Sequence, residues 1–349
     1  MRVTLFSLRG LLFGLSLAAL QTAFAAEPTV TFLSGDAARA TIVDDARDPY
    51  FALLQPIEMA AKTGAEIAGS LTAQRAETRK RYQAAVRSFT EAEQQALRAY
   101  VLALQPMLVH YPRFARQPWR FVKLADSIEG GLPHTRADAI ILSEYVAASV
   151  VEMRQQLSAQ AALMRVGPLL VHEQMHVLQR LEPARFAPLY IKVFGFVRSA
   201  PLDLPAELVA NQVANPDGLG CCWLFPLTAE PGRFLLPWLA FAESGTRRKM
   251  PQDFRMRAVP VVAQGAGYRV LRAADGRVQT RDLVEVAEYV QAFSLTQNFY
   301  HPNETAADLF AQLVMHDGLE RDGATKGRRR TQEKEFAPLR NWFRTHLRE

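Results

Sequence analysis

The amino-acid sequence predicts a helix-rich α+β protein. Three features carry that expectation. Long stretches place apolar residues at helical spacing, short apolar segments separated by glycines begin after position 118, and residues 201–265 are dense in proline and glycine. A chain of 349 residues can bury a sizeable core, as one large domain or two smaller ones.

The elements follow in chain order. Residues 1–9 carry two arginines, 10–20 form an apolar run, and Ala23 and Ala25 occupy the two small-residue positions that a signal peptidase reads. Residues 1–25 are therefore expected to be a cleaved signal peptide. The run is shorter than the roughly 20 residues that cross a bilayer, so no stable membrane insertion is expected after cleavage. Residues 26–118 then read as an N-terminal helical region. Within it 49–116 is mostly helical in pattern, Thr90 and Glu93 have capping-box spacing, and Leu97, Tyr100, Val101, Leu104 and Leu108 share one face. Pro106 should kink or end that helix.

Residues 119–349 form the second region. Here 119–124 reads as a strand, Gly130-Gly131 as a turn and 137–142 as a second strand. A helical pattern covers 143–180, with Pro168 either opening a new helix or kinking a longer one, and Pro183 lies just past its end. Residues 186–193 are helical again. Short strands such as 234–236 follow, then a hairpin joining 268–271 to 277–280 around Asp275-Gly276. A helical face at Val286, Tyr289, Val290 and Phe293 precedes a last helix starting near Asn303.

Composition narrows the function. The formal charge of +6 falls to +4 once Arg2 and Arg9 leave, and no basic face interleaves with aromatics, so a nucleic-acid partner is not expected. The densest basic cluster, from Lys326 to Arg330, reads as a solvated loop. The only cysteines, Cys221 and Cys222, are neighbours, which excludes a disulfide framework. A strained vicinal bridge and two free thiols both stay open, and the pair alone offers too few ligands for zinc.

The residues that carry chemistry are His172-Glu173-Gln174-Met175-His176, set in an apolar helix. Positions four apart lie one turn above each other, so the two imidazoles can grip one metal ion. Glu173, rotated away from the metal, can reach a water on it and act as catalytic base. An apolar helix would otherwise bury two imidazoles and a carboxylate without partners.

This segment resembles the HExxH helix of the zincin metallopeptidases, and His172, Glu173 and His176 match that motif. The resemblance implies a zincin-like fold with a small mixed sheet, a Zn2+ cofactor and peptide or protein substrates. The metzincin continuation would put glycine and histidine where Gln179 and Glu182 stand, which disfavours that subgroup. The gluzincin arrangement fits better: by resemblance Glu304, in Asn303-Glu304-Thr305-Ala306-Ala307-Asp308, is the third ligand, and Asp308 accepts a hydrogen bond from a ligand histidine. Glu207 is the alternative third ligand. Tyr300 and His301 are candidates to stabilise a developing oxyanion, with His316 and Tyr190 weaker ones. Residues 137–142 stand where zincins keep the edge strand that pairs with extended substrate.

The expectation is thus an exported enzyme, periplasmic or extracellular. It would be a zinc metallopeptidase hydrolysing peptide bonds through a zinc-bound water activated by Glu173. The alternative is a non-proteolytic exported zinc-binding protein that retains a zincin-like fold.

Overall fold

The computed structural model describes residues 27–218, 223–242, 248–321 and 329–349, with the backbone alone at 319–321 and 329–335. The proposed signal peptide, Cys221, Cys222 and most of the basic cluster at 326–330 lie outside the described residues. The architecture is α+β.

The chain opens with β1 (Val30–Phe32) and four helices, α1 (Gly35–Ile42), α2 (Tyr50–Leu53), α3 (Pro56–Thr63) and α4 (Leu71–Ala84). After β2 (Val86–Arg87) comes α5 (Glu91–Leu104), whose capping box between Thr90 and Glu93 is formed and whose Leu97, Tyr100, Val101 and Leu104 are buried. Pro106 sits in the 3-10 turn that ends it. The short α6 (Pro112–Ala115) leads into β3 (Trp119–Leu124), β4 (His134–Arg136) and β5 (Ala139–Ser143).

These strands form a mixed sheet. β1, β3 and β5 run parallel, β4 pairs antiparallel with β5 at one edge, and β2 pairs antiparallel with the end of β3. The region before residue 119 therefore supplies two strands to the sheet of the region after it. Both faces are covered, so β3 and β5 read as nearly continuous apolar runs, as parallel strands do. Successive residues alternate between two cores. Phe121, Ile140 and Leu142 pack with the later helices, whereas Val122, Leu124, Ala139 and Ile141 pack against α1 to α4.

Two helices follow, α7 (Glu144–Gln156) and α8 (Ala159–Leu181). The break falls at Leu157-Ser158, where the Ser158 hydroxyl accepts from the Ala161 N–H as N-cap, and Pro168 lies inside an unbroken α8. Pro183 opens α9 (Pro183–Lys192) at its first position.

After β6 (Val197–Arg198) and α10 (Ala206–Ala210), a second, antiparallel sheet runs in the order β10-β9-β8-β7-β6, with β11 also on β9. Its members are β7 (Trp223–Pro226), β8 (Arg233–Phe241), β9 (Phe254–Gln264), β10 (Gly267–Val270) and β11 (Arg281–Asp282). This corrects the expectation of short strands, because β8 and β9 span nine and eleven residues. Pro237 and Pro260 sit inside them and broke the sequence pattern. The expected hairpin is also corrected. Asp275-Gly276 does form a turn, but 277–280 is not a strand, and β10 pairs with β9 instead.

The chain ends in α11 (Ala287–Ala292), α12 (Pro302–Arg321) and α13 (Arg329–His346). Helices α8 and α12 lie side by side. A Cβ added at Gly167 of α8 would stand 3.1 Å from Met315 Sδ of α12, so the absence of a side chain there permits the approach. Among the described residues no helix is long and apolar enough to cross a membrane.

Candidate metal centre

His172, His176 and Arg180 occupy one face of α8 on successive turns. The two imidazoles meet nearly at right angles, with Nε2 atoms 3.0 Å apart. From α12, Glu304 places Oε2 at 3.4 Å from each of them. His172, His176 and Glu304 thus form a group that could hold a metal ion. Four donors at the corners of a tetrahedron with bonds of about 2.0–2.1 Å stand about 3.3 Å apart. The triangle here matches three of those corners, and the carboxylate comes from a second helix, which fixes the group rigidly.

The electrostatics favour a cation. Burial disfavours a charged His176 imidazole, yet Glu304, with Asp217 and Glu173, outweighs it and raises the group to about 9. Burial likewise opposes ionisation of Glu304, but His176 and His172 pull its carboxyl well below the ordinary range. Glu173 is only 4% exposed, and its Oε2 has no hydrogen-bond partner among the described residues. Burial, then Asp217 and Glu304, push its carboxyl well above the usual value against the pull of His176 and Arg180.

Side chains around the triangle orient it. Gln179 Oε1 lies 2.8 Å from His176 Nδ1, so the ring donates there and turns its Nε2 towards the triangle. The Gln179 amide in turn donates to the Asn303 carbonyl at the start of α12. Asn215 donates to Glu304 Oε1, the oxygen facing away from the imidazoles, and to the Tyr300 hydroxyl at 3.0 Å. Asn215 begins the turn Asn215-Pro216-Asp217-Gly218, which Arg180 clamps through the Pro216 carbonyl while its Nε donates to Asp48 at 3.1 Å. Gly218 packs against the side chains of Asn303, Asn215 and His301, where a Cβ would stand at 3.2–3.4 Å. Turn and α12 therefore meet at the triangle.

A cavity of about 390 Å³ opens beside it. His172, Glu173, Tyr300 and Glu304 line one part; Lys62, Glu129 and His134 line another. Lys62 is fully buried and donates to Tyr50 Oη at 2.5 Å, Glu129 Oε2 at 2.9 Å and the Ala214 carbonyl at 2.8 Å. Glu129 Oε1 accepts from the hydroxyls of Tyr50 and Tyr82.

The sequence-derived candidates divide accordingly. His172, Glu173, His176, Glu304 and Tyr300 converge on one site. Asp308 lines the cavity, but its carboxylate accepts from Thr296 Oγ1 and Gln312 Nε2, its partner one turn on. Gln179, and not Asp308, meets the ligand histidine. Glu207 lies half exposed on α10, paired with Arg272 at 3.2 Å, which corrects its candidacy as third ligand. His301 lines a different cavity, across the wall formed by 213–215 and Tyr300, and its Nδ1 meets Asn303. Tyr190 is buried against Trp223 and Phe194, and His316 lies near Arg340.

The expected substrate-pairing strand is corrected too. Residues of β5 are internal to the sheet, and the edge is β4. Its outward groups are already taken: the Thr135 N–H donates to Asp217 Oδ1 at 2.6 Å, and the Thr135 carbonyl accepts from Arg180. Sequence reasoning missed Gln179, Asn215 and His134. The one local signal was the three-residue step from His176 to Gln179, which shares a helix face. The chain matches no family model, no curated protein and no solved structure.

Proposed function

We propose that this protein is a zinc-dependent peptidase of zincin-like fold, exported by way of residues 1–25 and hydrolysing peptide bonds at the His172, His176 and Glu304 group. One observation carries the reading. Three donor atoms are spaced for tetrahedral coordination, and two of their residues, His172 and Glu304, line a cavity with Glu173, whose buried Oε2 has no partner among the described residues. Two imidazoles and one carboxylate suit zinc, which acidifies water and polarises a carbonyl where it binds.

Glu173 takes the proton from the attacking water. Its burial raises the carboxyl, which favours holding that proton until it passes to the departing nitrogen. The Tyr300 hydroxyl accepts from Asn215 and keeps its own proton to offer the oxyanion.

The test is metal content beside turnover. The parent is expected to carry one zinc per chain and to cleave peptides. Glu173→Gln should keep the zinc and lose activity by about 10²–10⁴-fold, and Glu304→Ala should lose the zinc. A Glu173→Gln protein as active as the parent, or a Glu304→Ala protein with full zinc, would refute the assignment. A second reading, a zinc-binding protein without peptidase activity, draws support from the sealed β4 edge, which offers extended peptide no main-chain ladder. Bound zinc with no cleavage across a broad peptide library would favour it.

A further inference from the structure

The same cavity is lined by a group that the proposed chemistry does not use. His134 opens β4, is 3% exposed and lines the same cavity as His172 and Glu173. Its Nδ1 lies 3.0 Å from the Leu132 carbonyl, which can only accept, so Nδ1 carries the proton and Nε2 presents a lone pair. Nε2 is buried and has no hydrogen-bond partner among the described residues. A buried acceptor left unmatched costs stability, so it marks a place where a ligand donor would be welcome.

The charges around it say which donor. Besides the Glu173 carboxyl, which burial pushes up, the described lining residues include four carboxylates, those of Glu129, Asp217, Glu304 and Asp308, against a single basic side chain, Lys62. An ammonium group has three N–H donors, and those of Lys62 are matched by Tyr50, Glu129 and Ala214. A substrate carboxylate therefore finds no uncommitted cation on this wall, and even a divalent ion in the triangle leaves the carboxylates in excess. Burial holds His134 neutral against the pull of Glu129 and Asp217, so it adds no positive charge. The sealed β4 edge, finally, shifts recognition from main-chain pairing to the cavity itself.

We propose that His134 Nε2 accepts a hydrogen bond from an ammonium group of the substrate, with Asp217 and its neighbours supplying the complementary charge. This rests on the peptidase reading for the identity of the substrate, a peptide, but not for the binding event. The ammonium group is either the free amino terminus or a lysine side chain.

Binding without turnover separates the two. Glu173→Gln protein carrying ¹⁵N-labelled histidine would be titrated with leucinamide, with N-acetyl-lysinamide and with N-acetyl-leucinamide, following the His134 imidazole nitrogens by NMR. The His134→Phe spectrum identifies the resonances, and His134→Gln retains an acceptor. One of the two amines is expected to move the Nε2 signal and to bind about 10- to 100-fold more weakly to His134→Phe, with partial recovery in His134→Gln. Which amine does so names its source. Equal binding of uncharged N-acetyl-leucinamide, or no response at Nε2 to either amine, would overturn the proposal, and the His134→Gln spectrum identifies the resonances should His134→Phe fail to fold. A protein that passes this test yet cleaves no peptide would refute the peptidase reading alone.

Discussion

Asn215 is the residue on which the placement of Glu304 depends. Its amide is shared between Glu304 Oε1 and the Tyr300 hydroxyl, so one side chain sets both the carboxylate that faces the imidazoles and the phenol beside it. Partners of this kind typically change metal affinity by about 10–100-fold when removed. Asn215→Ala should weaken metal binding by that factor while the protein stays folded, measured by competition with a coloured chelator; unchanged affinity would mean that Glu304 holds its position unaided. The contrast in legibility is physical. His172, Glu173 and His176 were readable because a helix repeats locally, and Glu304 because its own short segment carries a pattern. Asn215 acts across 89 residues, and Gln179 bridges to an Asn303 carbonyl 124 positions on, so only folding brings their partners near. Asp308 was misplaced for the converse reason: Gln312, one turn away, and Thr296 reach its carboxylate.

The elements that matter most are α8 and α12, because each brings ligands the other lacks. Their closeness is set where Gly167 faces Met315. A valine there would put branched carbons into space already filled by Met315 and by Leu104 of α5, and such overpacking costs about 1–3 kcal/mol. Gly167→Val is therefore expected to lower Tm by several degrees. Because the helices would separate, it should weaken metal binding as well. Circular dichroism melts with chelator competition check both; a lower Tm with unaltered metal affinity would show that the ligands tolerate movement between the helices. Amphipathic, capped helices such as α5 were legible from their period and from Thr90 and Glu93. The second sheet was not, because Pro237 and Pro260 interrupt β8 and β9 at positions that the ladder nonetheless accommodates.

At the scale of the molecule, a buried polar cluster ties the N-terminal helices to the turn that orients the ligands. Glu58 of α3 accepts from the Ala214 N–H at 2.6 Å, and Lys62, on the same helix, donates to the Ala214 carbonyl. Glu58 is fully buried, and burial, only partly offset by Lys62, raises its carboxyl to about 7. Between its unfolded value of 4.5 and about 7 the folded chain thus holds a proton that the unfolded chain has released, so the contribution of Glu58 to stability falls as pH rises through that window. Glu129 titrates the other way: Lys62, with the hydroxyls of Tyr50 and Tyr82, outweighs its burial and lowers it, so its contribution is present above 4.5 and is lost as pH falls below. The windows do not overlap, and comparing the parent with Glu58→Gln isolates the first. A shift of this size corresponds to about 3 kcal/mol as an upper figure. Urea unfolding at pH 5 and pH 8 should show Glu58→Gln gaining on the parent at the higher pH, by up to that amount. An equal difference at both values would mean that Glu58 ionises in the folded chain as readily as in the unfolded one, and that Lys62 fully compensates its burial.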